Sequence, residues 1–155
     1  MNHTQSLMDF LSEHYGTILS LHIAAVVITL ATVVIADSYG LLWLSGKKDT
    51  LDERRLALFH RLVWVGLGIT AVAGALMFVQ YPGYLLSSAG FQVKLFFILA
   101  LSINALLIGK HLKLATEQPF ATLPTREKVT LILSGLVSTT AWVGALIAAQ
   151  FIGLS

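Results

Sequence analysis

Four long apolar stretches govern what this 155-residue chain can become. They run from about Thr17 to Leu44, Leu58 to Val79, Phe91 to Gly109 and Val129 to Phe151. At about 1.5 Å per residue, each is long enough to cross roughly 30 Å of hydrocarbon. Inside lipid, backbone N–H and C=O groups find no water, so a spanning segment must satisfy them within itself, as a helix does. A soluble helical protein would need a polar face on every helix, and these segments have none. The expectation is an all-α integral membrane protein: one transmembrane domain over residues 1–155, folded as an antiparallel bundle of four transmembrane helices. Composition agrees, since 56% of the residues are hydrophobic and only 12% charged, against about a quarter charged in soluble domains.

The connections set the expected orientation. Lys47, Lys48, Arg54, Arg55 and Arg61 cluster at the first connection, and Lys110, Lys113, Arg126 and Lys128 at the third. The second connection, broken by Tyr81-Pro82-Gly83-Tyr84, carries no basic residue apart from Lys94 just inside the third stretch. By the positive-inside rule the basic connections face the cytoplasm and both termini lie outside, which suits a multi-pass protein of a bacterial inner membrane. Met1 to Tyr15 contains Asp9 and Glu13, no basic residue and no small-residue cleavage site, and so does not read as a signal peptide. It reads either as a short interfacial turn or as an outward extension of the first helix. Tyr39, Trp43, Tyr81 and Tyr84 fall where an interfacial aromatic belt is expected.

Several function classes drop out. There is no cysteine, so disulfides and thiolate metal sites are excluded. A net charge of +2 gives no basic surface for nucleic acid, and no Gly-rich phosphate loop, nucleophile elbow or zinc-ligand spacing is present. The expected surroundings are the lipid bilayer, with a second copy of the chain or other membrane subunits as partners. Stripes of small residues mark the faces for close helix contact or dimerisation: Gly68, Ala71, Gly74 and Ala75 in the second stretch, and Ser134, Ser138, Ala141, Ala145 and Ala148 in the fourth.

Ionisable groups at membrane depth are functional candidates. His22 lies near the outer end of the first helix and Lys94 near that of the third, at one level. The alternatives for them are an interfacial histidine bonded to a backbone carbonyl and a lysine that snorkels to water. Asp37 and Arg61 share a level toward the inner end, where a structural ion pair is the simplest account, and Asn104 at mid-depth reads as an interhelical hydrogen-bond bridge. His60 and His111 lie at the inner boundary on neighbouring helices, a geometry that can hold a haem iron or leave two solvated rings. His3 and His14 read as surface residues.

Leu21-His22-Ile23-Ala24, Asp52-Glu53-Arg54-Arg55-Leu56 and Val93-Lys94-Leu95 resemble motifs of a superfamily of small membrane proteins. It contains the HemJ-type protoporphyrinogen IX oxidases and the CopD-like copper-resistance domains. The likeness covers roughly Leu21 to Leu112. It implies haem b as cofactor, with His22 as its iron ligand and Lys94 as its functional partner. The chain departs from the HemJ pattern at Asn104-Ala105, where that type often has Tyr-His, and at Ala31-Thr32-Val33-Val34, where its first helix is rich in aromatic residues. The chain is also similar to an uncharacterised group of four-helix bacterial membrane proteins, through Leu21-His22, Asp37, Arg61 to Leu67, Val93-Lys94, Asn104, Ser138 and Trp142.

The leading functional expectation is therefore a haem-binding membrane protein with an oxidoreductase or electron-transfer role. In it His22 is an axial ligand, Lys94 pairs with a propionate, and Phe78 and Trp142 line the crevice. The alternatives are a small transporter with a polar path through Asp37, Arg61, Asn104, His22 and Lys94, and a non-catalytic partner subunit. Copper passage is weakened by the scarcity of soft ligands, which are limited to Met1, Met8 and Met77.

Overall fold

The structure, a computed structural model, describes residues 3–152, without the side chains of residues 3, 4 and 110. The sequence readings of Met1, His3 and Lys110 therefore fall outside the described part. Among the described residues, six α-helices follow in chain order: α1 (His3–Glu13), α2 (Tyr15–Leu44), α3 (Glu53–Gln80), α4 (Pro82–Ser87), α5 (Ala89–Glu117) and α6 (Thr125–Gln150). One 3-10 turn, Phe120–Thr122, stands between α5 and α6. Four of the helices, α2, α3, the Ala89–Gly109 part of α5, and α6, are long and apolar enough to cross a membrane.

Helix ends follow local chemistry. The Asp52 carboxylate accepts the Arg55 N–H at 2.8 Å and caps the exposed amides opening α3. Pro82 opens α4, where no amide is needed. Past the end of α2, Gly46 takes a left-handed φ of 71° and returns its N–H to the Trp43 carbonyl at 3.0 Å, turning the chain toward α3. α1 meets α2 at His14, across which the bonds His14 N to Phe10 O and Ile18 N to His14 O persist at 3.1 and 3.0 Å. The segment is thus a separate short helix bent at His14. It leans on α3, where Leu11 is buried and its carbonyl accepts from Gln80.

The long helices pack as two hairpins. In the first, the Thr29 side chain sits directly on Gly66 and His22 sits on Gly74. In the second, Gly90 meets the Ala148 and Phe151 backbone, the Phe97 ring covers Gly144, and Asn104 bonds Ser134. The α6 stripe read from the sequence is largely this seam: Ser134, Ala141, Ala145 and Ala148 are buried. Of the α3 stripe, Gly74 alone packs inside the hairpin. Ala71 and Ala75 are exposed, and a Cβ at Gly68 would meet nothing. Gly66, Thr70, Ala73 and Gly74, each three or four residues from another of the set, share the face turned to α2, with Ala73 buried and the others half-buried.

Two apolar clusters tie the hairpins to each other. Trp43, Leu51, Leu56, Ala115 and Leu123 close the end that carries the basic connections. Val33, Leu101, Ala141 and Trp142 form the second, at mid-length. At the basic end the Leu51 N–H donates to the Ala115 carbonyl at 2.8 Å, and the Trp43 indole N–H to the Gln118 carbonyl at 3.0 Å. Trp43, expected in an interfacial belt, is thus a core residue, because both its ring and its N–H find partners across the hairpins. Tyr81 and Tyr84 remain exposed, with the Tyr84 hydroxyl donating to the Ile152 carbonyl at 2.7 Å.

Candidate functional site

The polar residues picked out by the sequence separate into two groups on either side of the Trp142 cluster. Toward the end away from the basic connections lie His22 and Lys94. The His22 Nδ1 lies 3.1 Å from the Thr70 carbonyl. A carbonyl only accepts, so Nδ1 carries the proton, and in the neutral ring Nε2 keeps its lone pair. Gly74 gives this ring its room, since a Cβ there would lie 3.4 Å from Cε1. Lys94 is half-buried on α5. One turn away from Gly74 and Lys94, the Phe78 and Phe91 rings stack at 5.8 Å with planes 11° apart.

Toward the basic end, a crevice of about 600 Å³ opens between the hairpins, bounded by the two apolar clusters. Asp37 from α2, His60 from α3, Asn104 and His111 from α5, and Ser134 from α6 line it. Asn104 and Ser134 satisfy each other: the amide donates to the Ser134 carbonyl at 3.0 Å, and the Ser134 hydroxyl donates to the Asn104 side-chain oxygen at 2.7 Å. Asn104 is therefore a bridge between α5 and α6, a role whose partner the sequence alone did not name.

The two crevice histidines are engaged through their rings. The Trp64 indole donates to His60 Nε2 at 3.1 Å, which occupies the lone pair and leaves the proton on Nδ1. The His60 ring also packs on Gly109, with Nε2 3.4 Å from where a Cβ would stand. His111 holds the Leu107 carbonyl through Nδ1 at 3.0 Å and the Glu127 carboxylate through Nε2 at 3.2 Å. Both rings line one crevice, as their shared depth suggested, yet neither offers an unengaged lone pair to an iron. Of the histidines proposed for a cofactor, His22 alone does. Among the described residues, no three His, Asp or Glu side chains gather as a metal cluster.

The expected Asp37–Arg61 ion pair does not form. Arg61 follows His60 by one residue and is therefore turned about 100° away from the crevice face of α3, and its side chain is exposed. Asp37 lines the crevice but is exposed, and among the described residues it has neither a hydrogen bond nor an ion pair. Depth was readable from residue counting, but rotation about the helix axis decided the contact. Nor do His22, Lys94, Asp37, Asn104 and Arg61 form one continuous path, because the Val33–Leu101–Trp142 cluster separates the first two from the rest. No protein-family model, no curated protein and no solved structure matches this chain.

Proposed function

We propose that this chain is a haem-binding, multi-pass membrane protein with a redox or electron-transfer role. In this reading the four long helices cross a bacterial inner membrane as an antiparallel bundle. The basic connections face the cytoplasm and both termini lie outside, following the distribution of Lys and Arg.

The carbonyl bond of His22 is the one its structural alternative also expects, so the observation that carries the cofactor reading is the lone pair left on Nε2. Metal-ligating histidines commonly use such a second bond to fix the tautomer and orientation of the ring. Haem b would be held by His22 as its one protein ligand, and it supplies one-electron chemistry when bound. Lys94 balances a propionate, the negative group that such a cofactor carries into a helix bundle. The Phe78–Phe91 pair provides a flat apolar wall one turn away. His60 and His111, with their ring nitrogens engaged, position helices rather than ligate. The family resemblance of Leu21-His22 and Val93-Lys94 points the same way.

The test is the visible spectrum of the protein purified in mild detergent from cells with ample haem supply. A Soret band that shifts on dithionite reduction, with His22→Ala folded but pale, is the expected result. A colourless wild type that stays colourless after haem addition sinks the reading. So does a His22→Ala variant with an undiminished spectrum.

A further inference from the structure

The crevice toward the basic end is separate from His22 and has a chemistry of its own. Its walls are mainly apolar and aromatic, with Trp43, Phe59 and Trp142 among them. No described Lys or Arg side chain lines it. Its other ionisable and amide groups are already engaged: Asn104 with Ser134, His111 with Glu127, and His60 with Trp64. The one carboxylate that lines it, Asp37, has no partner among the described residues.

The crevice also has an open side. It is lined by Leu41 of α2 and by Ile132 and Leu136 of α6, all of them exposed. Gly40 and Gly135 line the same region, and a Cβ built on either meets nothing within 4 Å. A ligand reaching this mouth comes from the lipid and must itself be hydrophobic.

We propose that this crevice binds a hydrophobic organic cation, a quaternary or protonated amine or an aryl phosphonium. The cation enters between α2 and α6, sets its charge against Asp37 and lays its apolar groups on the tryptophan and phenylalanine rings. An anionic lipid headgroup is disfavoured because, among the described residues that line the crevice, the one uncommitted charge is negative. A bare inorganic cation would leave most of about 600 Å³ of apolar-walled space unfilled. The aromatic faces add cation–π attraction, which grows as water is excluded.

The experiment is equilibrium dialysis of radiolabelled tetraphenylphosphonium against the purified full-length protein, with tetraphenylborate as the anion of the same shape. Saturable binding of the phosphonium, weakened about tenfold or more by Asp37→Asn and retained by Asp37→Glu, is expected. Gly135→Trp, which fills the mouth while keeping Asp37, should weaken it as well. This second variant decides the matter if Asp37→Asn does not fold. His22→Ala should bind as the wild type does, so failure of the haem reading leaves this one standing. Equal binding of tetraphenylborate, equal binding by folded Asp37→Asn, binding undiminished in Gly135→Trp, or no saturable binding by the wild type would overturn the proposal.

Discussion

Within the α2–α3 pair the Thr29 side chain lies directly on Gly66, and within the α5–α6 pair the Phe97 ring lies on Gly144. Gly40 and Gly135, on α2 and α6 and along the seam between the pairs, look instead onto open space. The same residue type thus does opposite things at these two pairs of positions. Inside a hairpin, the missing Cβ lets a neighbouring side chain approach the helix axis. Such close packing is the main source of helix association in lipid, where apolar burial brings little. Between the hairpins, at Gly40 and Gly135, the missing Cβ widens a gap, while the clusters around Trp43 and Trp142, the Phe78–Phe91 stack and the His60 ring on Gly109 hold the two halves together.

The strongest way to break this contrast is to fill the inner seams. Gly144→Leu and Gly66→Leu should each destabilise the protein by about 3 kcal/mol, because overpacking a tight contact displaces ordered neighbours. At Gly66 the Thr29 Cβ already lies 3.0 Å from where a Cβ would stand, and at Gly144 a Phe97 ring carbon lies at 2.7 Å. Unfolding in mixed micelles titrated with dodecyl sulfate measures the loss. A change under about 0.5 kcal/mol in either variant, the size of an ordinary surface substitution, would show that the hairpin seams are not close-packed.

A smaller effect sharpens the comparison through its polar part. Asn104 and Ser134 share two hydrogen bonds inside the second hairpin, at 3.0 and 2.7 Å. Asn104→Ala should lose about 1 kcal/mol, in the range found for polar contacts between membrane helices. The double variant with Ser134→Ala should lose less than the sum of the two singles, since the second change removes a hydroxyl already orphaned by the first. Strict additivity would mean that the pair is not coupled.

How far the sequence reached follows from the same physics. The spans were legible because length and hydropathy decide them, and α2, α3 and α6 begin or end within a few residues of the apolar stretches. α5 runs two turns past Gly109 to Glu117, a stretch with polar residues that include the Lys113–Glu117 pair at 3.4 Å, which apolarity could not foresee. Depth along a helix was also legible. It placed His22 level with Lys94, and His60 with His111, from residue counting alone. Rotation about the axis was not, and so Asp37 and Arg61 share a level without touching. Nor does spacing show which ring nitrogen is occupied. That depends on Thr70, Trp64, Leu107 and Glu127, partners a one-dimensional pattern does not place.

The smallest expected change is the one that most directly separates the two seams. Gly40→Ala and Gly135→Ala add a methyl group where nothing lies within 4 Å. They also remove a residue whose backbone freedom disfavours a helix by about 1 kcal/mol relative to alanine in water. Each variant should therefore be neutral or more stable by a few tenths of a kcal/mol, while Gly66→Ala should be clearly destabilising by the same dodecyl sulfate titration. Equal losses at all three positions would mean that the gap between the hairpins closes in the folded protein. The crevice would then be too narrow for a ligand. Opposite signs would show that the open space is part of the native packing, held apart by the bulk of Trp43 and Trp142 at its two ends.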